Sequence, residues 1–205
     1  MYLQQPSNQT RTERKKEETT KKILSIALRL FREQGFDATT MEAIAEAVDI
    51  AKGTLYNYFP VKEAIVDEYI RRNFQERNLA ITERIQELPD TAARMESVFN
   101  ELLTGIQSQK VLFEKYLIYR MQHWISFQLE AHEKSGFQLL ASQIVRLGQA
   151  DGELRSDLPP EVLEDLCEYV FMLAVKEFYL DPENFSASQP IQRCIDIFLH
   201  GVKNK

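Results

Sequence analysis

Glycine and proline, the residues that most readily break regular backbone, number only seven each in 205 residues. So few breakers favour long uninterrupted helices over turn-rich β structure. The apolar spacing agrees. Ile23, Ala27, Leu30 and Phe31 recur at i, i+4, i+7 and i+8, the pattern of one helix face. This predicts a helix from about Thr12 to Gln34, closed by Gly35 because left-handed backbone costs glycine little. Thr39 followed by Glu42 reads as a capping box, opening a short helix with Met41, Ile44, Ala45 and Val48 on its apolar face. A third short helix is expected over about 51–57, and a fourth from Lys62 to Leu88, where Pro89-Asp90 stops it. Met95, Val98, Phe99, Leu102, Leu103 and Ile106 mark a fifth. Residues 111–150 read as two helices, with the boundary inside 111–135 left open. Helices over about 160–180 and 189–202 complete an all-α chain of about nine helices.

At 44% hydrophobic and 27% charged, the chain is globular and able to bury a core. No apolar run approaches the ~18–20 residues of a membrane span, and the polar N-terminus lacks the apolar segment of a signal peptide. A soluble, cytoplasmic protein is expected. Cys167 and Cys194 show no CxxC or disulfide-framework spacing and read as core thiols, with a redox-sensing pair as the alternative. His123 and His132 lie nine apart with no cysteine or carboxylate at ligand spacing, so neither a metal site nor a cofactor is expected. The net charge of −6 is uneven: residues 1–62 sum to +2 and residues 63–205 to −8. Such asymmetry separates a small N-terminal part from an acidic body. The basic run Arg11–Lys22 reads either as a solvated arm or as a reach toward an adjacent nucleic-acid groove.

The stretch IAKGTLYNYFPVKEA, residues 50–64, gathers lysines, a threonine, two tyrosines and a mid-helix glycine. Two short helices joined by a brief turn behind a longer helix make a helix-turn-helix, whose second helix enters the DNA major groove. Glycine inside a helix costs about 1 kcal/mol relative to alanine; close approach to a DNA strand is a reason to accept that at Gly53. Lys52 and Thr54 can reach base edges or phosphates, and Tyr56 and Tyr58 can each offer a hydroxyl to a phosphate. Lys62 adds a point charge at a helix N-terminus. On spacing alone, the same segment also reads as a small three-helix core with exposed tyrosines. Residues 23–66, however, show Phe31…Gly35, Thr39-Thr40…Ile44-Ala45, Lys52-Gly53-Thr54-Leu55-Tyr56-Asn57-Tyr58-Phe59 and Lys62-Glu63. In that order these resemble the DNA-binding domain of the TetR family of bacterial transcriptional regulators. Asp49 stands where that family usually has glycine, and Ala51 and Val61 stand where it usually has serine caps.

The resemblance implies an N-terminal arm and three-helix helix-turn-helix DNA-binding domain over 1–61 and a helical effector-binding and dimerisation domain over 62–205. It carries DNA contact to Thr40, Lys52, Gly53, Thr54, Tyr56, Tyr58 and Lys62. It also implies a small-molecule effector site among the middle helices, for which Phe99, Phe113, Tyr116, Tyr119, His123, Trp124 and Phe127 are candidates; an aromatic stripe at helical spacing is equally a pattern of core. The last two helices, about 160–202, are expected to pair with a second copy. The function implied is a homodimeric, ligand-responsive repressor of a two-fold operator, released by a small hydrophobic or amphipathic effector, with no enzymatic activity and no membrane partner. A helical protein-binding adaptor is the alternative, against which Lys52, Tyr56 and Lys62 speak. An enzyme using the acidic body is a further one, but no GxSxG, P-loop, dinucleotide fingerprint or HExxH occurs.

Overall fold

A computed structural model describes residues 10–125, with side chains to Gln122, and residues 135–201. Among them run nine helices: α1 (Arg11–Gln34), α2 (Met41–Val48), α3 (Lys52–Tyr58), α4 (Lys62–Gln86), α5 (Thr91–Ser108), α6 (Lys110–Ile125), α7 (Gly136–Ala150), α8 (Pro160–Leu180) and α9 (Ser188–His200). The described residues are all-α, as the breaker count and periodicity imply. They fall into two compact units, one formed by the chain to Tyr69 with Val111–Gln122, the other by Ile70–Lys110 and the chain from His123. The division lies inside α4, and the first unit includes most of α6.

In the first unit, α1 opens with Thr10, whose hydroxyl accepts from the Glu13 amide while Glu13 accepts from the Thr10 amide. Its core face is Ile23, Leu24, Ala27, Leu30 and Phe31, and Gly35 ends it at φ 88°. The start of α2 differs from the capping box expected of Thr39 and Glu42. Thr39 is buried and its hydroxyl donates to the Gly35 carbonyl. Thr40 is the cap instead, accepting from the Ala43 amide at 3.1 Å. Glu42 therefore falls one position short of the place from which it could reach back to the cap. Asp49 closes α2 at φ 61°, ψ 53°, a left-handed conformation that aspartate tolerates better than most residues. Ala51 gives α3 no side-chain cap.

The second unit is built on α5, whose inward Met95, Val98, Phe99, Leu103 and Ile106 are almost fully buried. Phe99 meets Phe171 at 4.8 Å and Phe137 at 6.1 Å, and Phe137 stacks on Phe171 at 5.2 Å. Arg94 is buried and locks the α4–α5 corner: it donates to the Ile85 and Leu88 carbonyls and pairs with Asp151 at 2.7 Å. The Glu153 carboxylate accepts from the amide and hydroxyl of Thr91 at the start of α5, where a helix favours an anion. A Cβ on Gly136 would fall 2.1 Å from Phe74 Cγ, so α7 begins with glycine because α4 packs there without room for a side chain. Cys167 and Cys194 are both buried in this core. Among the described residues, no helix is long and apolar enough to cross a membrane.

Candidate nucleic-acid interface

The recognition-helix candidate α3 is seven residues long and only Leu55 among them is buried. Leu55, with Phe59 just beyond the helix, anchors the element, so most of the other side chains face out. Lys52, Gly53, Thr54 and Tyr56 are exposed, as is Thr40 at the start of α2; Tyr58 is half-buried. Five of the seven DNA-contact candidates thus lie on one short element, and a sixth, Thr40, caps α2. A Cβ on Gly53 would meet nothing within 4 Å, so no neighbour among the described residues requires glycine there.

Lys52 does not stand alone. Its ammonium pairs with the Glu42 carboxylate of α2 and lies 5.8 Å from the centre of the Tyr56 ring. The hydrogen bond from Lys52 holds the Glu42 carboxyl below its ordinary pKa, and the same bond holds the Lys52 ammonium above its own.

Lys62 is tied to the protein's own backbone. Its ammonium donates to the carbonyls of Phe36 at 2.7 Å, Thr39 at 3.0 Å and Asp37 at 3.3 Å. An ammonium has three donors, and all three are used on the α1–α2 turn. The same group lies 4.5 Å from the centre of the Phe36 ring. Lys22, from the basic run of α1, likewise donates to the carbonyl of Val48 at the end of α2, at 2.6 Å. These two lysines frame the helix-turn-helix by satisfying carbonyls that helix ends and turns leave open. Sequence reasoning missed both contacts, because a lysine in a helix-turn-helix looks the same whether it binds backbone or phosphate. Lys115 of α6 joins this frame through Asp37 at 3.1 Å and the Phe36 ring at 5.4 Å.

The effector candidates divide. Phe99 is closed in by Phe137 and Phe171 in the second unit. Phe113, Tyr116 and Tyr119 belong to the first, where the Phe113 and Tyr116 rings meet at 5.2 Å. Burial raises the Tyr119 phenol above its ordinary pKa, with the Asp67 charge adding to the effect. His123 and Trp124 lie in the last turn of α6 with side chains outside the described residues, and Phe127 lies outside them altogether. Of the apolar positions on the last two helices, Val170, Phe171, Ala174, Phe178, Ile191 and Ile195 form core. Val162, Leu166, Tyr169, Leu173 and Leu180 leave an exposed apolar stripe along α8. Among the described residues, no group of His, Cys, Asp and Glu is arranged to hold a metal.

Comparison with known proteins gives a consistent result. Residues 23–69 match the bacterial regulatory proteins of the tetR family. The HTH-type transcriptional regulator YdeS of Bacillus subtilis (strain 168) is 30% identical over 158 residues, 73% of this chain and 74% of that protein. The HTH-type transcriptional repressor KstR2 of Rhodococcus jostii (strain RHA1) is 29% identical over 145 residues, 68% of this chain and 70% of that one. In fold, the chain is similar to FadR of Thermus thermophilus, a TetR-family transcriptional repressor solved in complex with lauroyl-CoA. The TM-score is 0.69 at 21% identity, covering 91% of this chain and 96% of that one. This chain belongs to the TetR family of bacterial transcriptional regulators.

Proposed function

We propose that this regulator is a homodimeric repressor that binds a two-fold operator through α3 and leaves it when an amphipathic effector binds its C-terminal helices. The observation that carries the DNA reading is the outer face of α3. A seven-residue helix held by Leu55 presents donors and a glycine that no neighbour among the described residues requires. We assign DNA contact to Thr40, Lys52, Gly53, Thr54, Tyr56 and Tyr58, and a positioning role to Lys62. The exposed stripe of α8 supports dimerisation, since isolated apolar side chains are ordinary on a surface but a contiguous stripe marks an interface. Two copies would pair two recognition helices with two half-sites.

Acyl thioesters of coenzyme A are the effectors to test first, because the FadR relative of the same fold was solved with lauroyl-CoA. Phe113, Tyr116 and Tyr119 of α6, named from the sequence, are the candidates for contact with the acyl chain. Duplexes enriched from a random-sequence library by the purified protein should be bound in preference to scrambled duplexes, more weakly as salt rises. Lauroyl-CoA should release them. Failure to enrich any sequence would refute the DNA reading; enrichment without release by acyl-CoA of any chain length would refute the effector class alone.

A further inference from the structure

We propose that Glu42 determines specificity: by holding the Lys52 ammonium across the α2–α3 corner, it keeps that cation from acting as a general phosphate clamp and reserves it for base edges. This rests on the assignment of the α3 outer face to DNA. Glu42 and Lys52 are both more than half exposed, at 53% and 57% of their side chains, so their pairing does not compensate a buried charge. Exposed pairs add little to stability; what this one changes is where Lys52 can go. The pair joins two helices rather than two turns of one, and the ammonium lies 5.8 Å from the centre of the Tyr56 ring. Glu42 is released for this by the start of α2. Because Thr40 rather than Thr39 caps the helix, Glu42 misses the capping-box position and its carboxylate turns to Lys52.

The location sharpens the consequence. The first turn of a helix draws anions to its amides, and a fixed carboxylate in the first turn of α2 repels a phosphate that would settle there. On arbitrary DNA, a phosphate that approaches Lys52 must therefore compete with the Glu42 carboxylate for the ammonium and is repelled by its charge. On a matched site the pair can stay closed. The ammonium has donors left for guanine O6 and N7, and the carboxylate has lone pairs left for a cytosine N4 amine. The two charges stabilise each other, so both persist through the neutral range.

The test uses full-length wild type, Glu42→Gln, Lys52→Gln and the double variant. Each is titrated at several salt concentrations against a duplex enriched by wild type from a random library and against its scrambled form. Glu42→Gln keeps the side chain's shape and removes its charge. It should bind the scrambled duplex about fivefold more tightly, the upper worth of an exposed ion pair, with little gain on the enriched one. Its salt dependence on scrambled DNA should steepen by about 0.9 in log–log slope for each lysine freed. That steepening should vanish when Lys52 is also Gln. An equal change on both duplexes, weaker binding to both, an unchanged slope, or a steepening that survives loss of Lys52 would each overturn the proposal. If wild type enriches no sequence, the DNA assignment itself fails and takes this inference with it.

Discussion

Lys52 and Lys62 stand ten residues apart in one motif, and chemistry alone does not tell them apart. The structure separates them by what their ammonium groups touch: one exposed carboxylate for Lys52, three backbone carbonyls for Lys62. Hydrogen bonds to a charged donor contribute about 1.5–3 kcal/mol each when lost from a partly buried site, and the three here share one group. Lys62→Met should therefore lower the stability of the protein by about 2 kcal/mol in urea unfolding. Its effect on the salt slope of DNA binding should be slight, where loss of a phosphate contact would reduce that slope by about 1. Lys52→Gln should show the reverse, near-normal stability with altered base preference, whereas Tyr56→Phe should weaken all sequences alike. The cysteines are also decided at this scale. Burial raises both thiols above their ordinary pKa, and the Cys194 thiol donates to the Val170 carbonyl at 2.8 Å. A thiol reagent at pH 8 should thus react with the native protein only as fast as it unfolds, since the thiolate is the reactive form. Rapid labelling of the folded protein would favour a redox pair instead.

At the scale of elements, much was legible because the signals are local. Gly35 ends α1, and Asp49 takes the left-handed turn position. The helix that sequence left without a boundary also carried a signal: Ser135 and Gln138 form a complete capping box at the start of α7, an S-x-x-Q spacing. What was not legible depends on partners far along the chain. Nothing in the local sequence marks Arg94 as buried, yet it packs against the end of α4 and Asp151. Nothing in the local sequence marks Gly136, yet Phe74 occupies the space its side chain would need. Gly136→Ala should destabilise the protein by about 1–3 kcal/mol, as overpacking does, readable as a lowered thermal midpoint. The stripe on α8 predicts the opposite kind of variant. Leu166→Glu with Leu173→Glu changes two exposed positions, so the helical content should survive while light scattering shows a monomer. A dimer that persists would place the interface elsewhere.

For the whole molecule, α4 contributes Lys62–Tyr69 to the first unit and Ile70–Gln86 to the second. Regulation by an effector requires that it bind the DNA-free state more tightly, and the coupling must then be reciprocal. If lauroyl-CoA weakens operator binding tenfold, operator DNA should weaken lauroyl-CoA binding tenfold, about 1.4 kcal/mol measured from either side. The all-α fold and the helix-turn-helix could be read early because both are written in short-range periodicity and in a motif confined to 23–66. The effector site could not, because aromatic residues at helical spacing serve core and pocket alike, as the burial of Phe99 beside Phe137 and Phe171 illustrates. The central claim, that the outer face of α3 lies against DNA, is tested most directly by Gly53→Ala. The added methyl group meets nothing among the described residues, and alanine is the better helix former by about 1 kcal/mol. The thermal midpoint should stay level or rise while affinity for the enriched duplex falls at least tenfold. Unchanged DNA affinity in a protein of equal or greater stability would contradict the claim.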